Sequence, residues 1–187
     1  QIGTTFHRFI TNETVKHVVS LKSPIDNDCD PIDGVITYLY DNESDLIKGW
    51  VKLIETTDPD IITGYNIYHF DWDYLYQRAK LLGIEHTLGK LSRIYDKESH
   101  ISTEKLSTSA YGDNEFQILK VYGVTQLDLM FIVQREHKLE SYKLNNVAKY
   151  FTGQEKDDLP PAQIFEKNMS TKDQVAIVVK YCAQDTL

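Results

Sequence analysis

Two aspartates and a tyrosine carry the strongest chemical suggestion in this sequence. Asp71 lies in the run DPDIITGYNIYHFDWDYL, residues 58–75. There a short apolar segment, Ile61-Ile62, leads into a turn at Gly64-Tyr65-Asn66, and Asp71 follows at the entry to a helical pattern. A carboxylate at the end of a buried strand stands on backbone that cannot move, which suits it to hold a hard cation through oxygen. Asp185 closes the segment Tyr181-Cys182-Ala183-Gln184-Asp185. Tyr181 and Asp185 are spaced i, i+4, so a helix sets them on one face, one above the other. That face borders an apolar stripe of Val175, Val178, Val179 and Cys182. A carboxylate at the rim of a core can ligate a metal, and a phenol one turn away can position a water.

Each of these residues also has a plainer reading. Asp71 after a strand is a common helix cap. Taken from its helix alone, Tyr181 packs and Asp185 faces solvent. Asn66 is either a turn residue or a substrate contact, with the turn favoured. Tyr65, His69 and Phe70 can stack on a base or sugar, or pack against one another. The histidines show no paired metal-binding spacing, and neither a phosphate-cradling G-x4-G-K-S/T loop nor a G-x-S-x-G elbow is present. Carboxylates with a tyrosine are the only concentrated catalytic signal.

The 187 residues suffice for one domain with a full core, and 41% hydrophobic with 26% charged content is ordinary for a globular protein. No run approaches the about 20 apolar residues of a membrane span, and no signal peptide is visible. Cys29 and Cys182 fit no metal or disulfide pattern, which suits a reducing, intracellular setting. The net charge of −8 argues against tight nonspecific binding of nucleic acid through Lys and Arg. It leaves room for a site that grips a few nucleotides through metal ions.

Strands are expected at residues 2–9, 15–21, 35–40, 61–64 and 116–121. A helix capped by Asn42 or Ser44 carries Leu46, Ile47, Trp50, Val51 and Ile54 at helical spacing and stops at Pro59. A second helix spans 71–82, with Leu75, Ala79 and Leu82 on one face and Gly83 as its stop. Residues 87–115 are polar and read as an irregular excursion. Further helices are expected at 128–138, 141–151 and 171–187, the last opened by a capping box of Thr171 with Gln174. This alternation predicts an α/β sheet with helices on both faces.

Asn66-Ile67-Tyr68-His69-Phe70-Asp71, with Asp58 to Tyr65 before it, resembles the second exonuclease motif of family B DNA polymerases. Tyr181-Cys182-Ala183-Gln184-Asp185 resembles their third. Between them, Gln126-Leu127-Asp128-Leu129 and Lys138-Leu139-Glu140-Ser141-Tyr142-Lys143-Leu144-Asn145 resemble segments of delta-type members, and the order and spacing agree. Gln1 to Phe6 resembles the strand after the first motif. The likeness is to delta-like polymerases with a large-DNA-virus character. It implies a ribonuclease H-like mixed sheet flanked by helices and lacking its first strand. It also implies a proofreading 3′–5′ exonuclease that uses two divalent metal ions, magnesium or manganese, to hydrolyse 3′-terminal nucleotides. On this resemblance Asp71 and Asp185 are metal ligands, Tyr181 orients the attacking water, and Asn66, Phe70 and Tyr65 contact DNA. The implied partners are a single-stranded 3′ end of DNA, the remainder of the polymerase chain and a sliding clamp, with no membrane. The implied location is the site of DNA replication, in a nucleus or viral replication compartment.

Three departures stand out. The Asp-x-Glu pair of the first motif has no counterpart ahead of Gln1, so residues 1–187 are expected to be an exonuclease domain fragment with both other motifs and without the first. Asp73 stands where the family usually has proline, adding a first-turn negative charge that suits the helix dipole. Val124 follows Gly123 where arginine is usual, and Lys120 is the candidate substitute. The competing readings are a free-standing exonuclease of the same fold and a degenerate module that only holds structure or DNA. Asp71 and Asp185 are expected to face each other about 4–8 Å apart, given metals ~4 Å from one another. The isolated 187-residue piece is expected to bind metal weakly and to degrade single-stranded DNA little or not at all. Robust metal-dependent degradation by the purified piece would contradict this.

Overall fold

The structure is a computed structural model that describes residues 1–108, 112–153 and 159–186. The chain divides into two compact units, residues 1–50 with 148–187, and residues 51–147.

The first unit is built on a mixed three-stranded sheet in the order β1 (Ile2–Arg8), β2 (Glu13–Leu21), β3 (Val35–Tyr40). β1 and β2 are antiparallel, while β2 and β3 are parallel. β2 is the central strand, and its residues 17–20 are buried without alternation, as expected when both faces are covered. Helix α6 (Lys172–Gln184) packs against all three strands. Val175 and Val179 of α6 join Val18 and Cys29 in the core, and Cys182 packs at its margin while Ala183 lies within it. The valine stripe is therefore as expected, with its last member replaced by its neighbour. The capping box is not formed: Thr171 donates to the Asp173 carboxylate, and Gln174 accepts from Lys167 at 2.7 Å. Helix α5 (Pro161–Asn168), which the sequence did not reveal, packs on α6 and buries none of its residues.

Helix α1 (Glu43–Thr57) is capped by Asn42, whose side-chain oxygen accepts the Asp45 N–H at 2.9 Å. Leu46, Ile47, Trp50, Val51 and Ile54 are all buried, as their spacing requires.

In the second unit β4 (Ile61–Gly64) and β7 (Thr125–Asp128) pair in parallel, Gly64 opposite Asp128. Helices α2 (Asp71–Leu81), α3 (Leu129–Glu136) and α4 (Leu144–Thr152) follow the expected pattern, α4 running past residue 147. The buried face of α2 is Trp72, Leu75 and Ala79, and Leu82 is a partly exposed cap residue. Residues 87–115 correct the expectation of an irregular excursion. A 3-10 helix covers Glu85–Leu91, and β5 (His100–Thr108) pairs antiparallel with β6 (Gly112–Lys120). Residues 109–111 of that stretch, and Leu187, lie outside the described residues. The backbone ladder pairs these polar stretches, while Leu119 of β6 is buried and β6 packs on α2. Among the described residues the strands form three small sheets, and no helix is long and apolar enough to cross a membrane.

Glycine is required where β1 meets the end of α6. A Cβ on Gly3 would stand 2.7 Å from the Cys182 carbonyl oxygen and 2.8 Å from a Thr186 methyl. Thr5 and Thr186 share a hydroxyl–hydroxyl bond beside it. Substituting Gly3→Ala should force the last turn of α6 away from β1 and cost ~1–3 kcal/mol of stability, as overpacking does. A urea titration reads this as a lower midpoint, and an unchanged midpoint would contradict the close approach.

Candidate functional site

The residues singled out by sequence fall on two local structures, one in each unit. In the second unit the chain leaves β4 at Gly64, and Asn66 takes a left-handed φ of 64°. Asparagine tolerates this region better than most residues. The Asn66 carbonyl accepts N–H groups from His69 at 3.3 Å and Phe70 at 3.1 Å, and its side chain meets His69 Nδ1 at 3.2 Å. The turn role of Asn66 is therefore realised. A Cβ on Gly64 would come within 2.5 Å of the Ile67 side chain, so the strand can end in this turn only with glycine there.

The turn is anchored from β7. Asp128 accepts the Asn66 N–H at 2.8 Å and the Tyr68 N–H at 3.1 Å. It also caps α3 through the Met130 N–H at 3.0 Å. The Tyr68 hydroxyl donates to the Gln126 carbonyl at 3.1 Å, and the Tyr65 hydroxyl donates to the Tyr142 carbonyl. Tyr65 is thus tied down by its tip. Burial, then the Asp128 charge, raises the pKa of both phenols above the ordinary value, so they remain protonated donors.

Asp71 is the first residue of α2 and does not cap it. The cap position is Phe70, which makes no side-chain capping bond. Asp71 and Asp73 place two carboxylates in the first turn, where the helix dipole favours them. Asp73 also accepts from Gln77 at 3.2 Å, which gives its charge a local partner. The residue Asp71 is solvent-exposed along part of its surface. Its carboxyl is nonetheless pushed up to about 6, first by surrounding protein and further by the Asp128 carboxylate, against a lowering bond to its own backbone N–H. A carboxylate whose ionisation is opposed in this way, with open access, is one that a cation would stabilise.

Aromatic residues divide by role. His69 stacks on Phe131 at 5.5 Å. Phe70 is 62% exposed and stacks in parallel on Tyr74, itself 59% exposed, at 5.9 Å. The pair presents an open aromatic surface beside Asp71, Phe70 just before it and Tyr74 one turn on. Tyr74 escaped the sequence reading, although its i, i+4 spacing from Phe70 was the available signal.

In the first unit Tyr181 is half-buried on α6 and Asp185 is its exposed C-terminal cap residue, with the Asp185 N–H on the Tyr181 carbonyl at 3.2 Å. Gly3 and Thr5 of β1 brace this end of the helix. The structure describes the Asp71 and Asp185 surroundings separately, each within its own unit. Among the described residues no group of three or more His, Cys, Asp or Glu side chains forms a metal cluster.

Lys120 pairs with Glu104 across the hairpin at 2.6 Å. Arg93 lies beside Gly123. It bonds the Gly123 carbonyl at 3.4 Å and forms ion pairs with Asp58 at 2.7 Å and Asp60 at 2.8 Å.

Comparison with known proteins decides the family. The model for "DNA polymerase family B, exonuclease domain" matches residues 1–147. This chain belongs to the family B DNA polymerase exonuclease domains.

Its relatives include a DNA polymerase of Pyramimonas orientalis virus, 43% identical over 152 residues, covering 81% of this chain and 12% of that protein. The DNA polymerase delta catalytic subunit of Candida albicans is 35% identical over 161 residues, covering 85% of this chain and 15% of that protein. DNA polymerase 120R of Invertebrate iridescent virus 3 aligns over 100% of this chain and 17% of its own length, at 33% identity. The chain thus spans less than a fifth of each of these polymerases.

The raised value of Asp71 fixes a pH dependence for this exonuclease-family domain. A carboxyl with a raised folded-state pKa stabilises the fold in its protonated form. That contribution is full below the unfolded value, about 3.9, and is lost as pH rises through about 6. Without divalent cations, Asp71→Asn should melt at a higher temperature than the parent above pH 6, and the difference should vanish below the unfolded value. Thermal melts across this range check the sign, and a carbon-13 titration of the Asp71 carboxyl checks the midpoint.

Proposed function

We propose that residues 1–187 are part of the proofreading 3′–5′ exonuclease domain of a DNA-directed DNA polymerase. Its fold would be the ribonuclease H-like mixed sheet flanked by helices and lacking its first strand. The observation that carries the reading is the exonuclease-domain match over residues 1–147, joined to an accessible carboxylate at Asp71, the first residue of α2. The all-oxygen donor set of Asp71 and Asp185 suits two magnesium or manganese ions. When bound, such ions activate a water and neutralise charge at the scissile phosphate.

The chain's own residues have the following work. Asp71 and Asp185 supply carboxylate oxygens. The Tyr181 hydroxyl orients the attacking water. Asn66 presents its side-chain amide to the 3′-terminal nucleotide. Phe70, backed by Tyr74, offers a face on which an unpaired base stacks, an interaction worth ~1–3 kcal/mol per base and tolerant of sequence. Tyr65 serves by fixing the turn, since its hydroxyl is engaged with the Tyr142 carbonyl. Substrate would be the frayed 3′ end of DNA, with the rest of the polymerase chain as partner at the site of replication. A sliding clamp would be a partner of that whole polymerase.

The test uses the polymerase chain that contains this segment. Asp71→Ala and Asp185→Ala should each reduce removal of a mispaired 3′ nucleotide roughly a hundredfold or more, while extension of a paired primer is unchanged. Full exonuclease activity in both variants would overturn the assignment.

A further inference from the structure

Asp128 has no part in the roles above, yet its carboxylate is the most heavily committed polar group near Asp71. It is 3% exposed, at the end of β7 and opposite Gly64 in the parallel register. A buried carboxylate is costly unless its oxygens are satisfied, and here backbone N–H groups satisfy both. Oδ1 accepts from Asn66 at 2.8 Å and from Met130 at 3.0 Å, and Oδ2 accepts from Tyr68 at 3.1 Å. Capping α3 needs only one of these bonds. The other two cross 62 and 60 residues of sequence to the turn between β4 and α2. Bonds of this charge-assisted kind are roughly twice as strong as neutral ones. They hold Asn66 at a φ of 64°, a conformation that persists only when its surroundings enforce it. The same turn feeds directly into Asp71, the first residue of α2.

We propose that Asp128 is a positioning residue for the exonuclease site: without ligating metal or touching DNA, it sets the turn that presents Asn66 to the 3′ end and Asp71 to the cation. This rests on the exonuclease reading. Its oxygens are turned inward and occupied, so it is closed to a cation itself, and the geometry separates its two duties. Asp128→Ser retains an acceptor for the α3 cap and loses both bonds to the turn. Asp128→Asn can keep the Oδ1 bonds to Asn66 and Met130 but sets an N–H₂ group against the Tyr68 N–H.

The test compares both variants with the parent in the full polymerase chain. One readout is backbone hydrogen exchange. In Asp128→Ser, exchange over residues 65–70 should accelerate while residues 130–136 stay protected; in Asp128→Asn, the Tyr68 amide alone should lose protection. The second readout is exonuclease kinetics. The manganese concentration for half-maximal rate, and the KM for single-stranded DNA, should rise roughly tenfold or more in Asp128→Ser, the usual scale for residues that orient ligands. Primer extension should be unchanged. A merely structural role predicts something different: lower kcat in proportion to the folded fraction, with half-saturation and KM unmoved. That result, or equal loss of protection in α3 and the turn, overturns the proposal. If Asp128→Ser does not fold, Asp128→Asn decides through the Tyr68 amide, whose unchanged exchange overturns it. A parent polymerase with no metal-dependent nuclease overturns the function reading instead, and with it the role assigned here.

Discussion

The arrangement around Asp71 depends on a negative charge that is never offered to solvent. Asp128 spends its carboxylate on backbone N–H groups from the β4–α2 turn and from its own helix. It thereby fastens a turn, a strand end and a helix start to one point. Pairing of Gly64 with Asp128 across β4 and β7 brings the carboxylate to the turn. Glycine at 64 leaves space for Ile67 to fold back, and Tyr68 closes the loop on Gln126. Asp128 adds to the turn's own bonds, in which the Asn66 carbonyl accepts from His69 and Phe70, two links from a separate strand. The same charge opposes ionisation of Asp71. One group thus supplies rigidity and an electrostatic bias that an incoming cation would relieve.

Periodicity exposed the elements that bury a face. The α1 stripe of Leu46, Ile47, Trp50, Val51 and Ile54 is legible because each member is buried, and β3 and β4 were bounded as found because their apolar residues are framed by turn formers. Elements without an apolar stripe were not legible. The chain around His100–Thr108 is rich in Ser, Thr, Lys and Glu, yet it pairs along its length with β6. Helix α5 buries no residue, so it leaves no stripe to read. Thr171 and Gln174 have the spacing of a capping box, but Asp173 and Lys167 compete for their side chains and win.

The residues proposed for the chemistry stand out in the sequence, and those that support them do not. Asp71, Tyr181 and Asp185 belong to short segments whose order resembles a known family, so local sequence reveals them. Asp128 reads locally as an ordinary helix cap, which it also is. Its longer-range duty exists only once the register of two parallel strands is known. Arg93 was missed for the same reason: its partners Asp58 and Asp60, and the Gly123 carbonyl, come from distant parts of the sequence.

The division of the chain has a consequence for how it is made. The first unit takes residues from both ends of the sequence, while the second is one uninterrupted stretch, 51–147. Val18 and Cys29 are covered by Val175 and Val179 of the last helix. During synthesis the sheet β1-β2-β3 therefore emerges before the intervening unit, and its α6 face waits uncovered until that unit and then α6 have left the ribosome. Its central valines and its edges are open to wrong partners for that interval, the exposure that makes folding intermediates prone to aggregate. The second unit can close on local information as it emerges, and long-range closure of the first must come last.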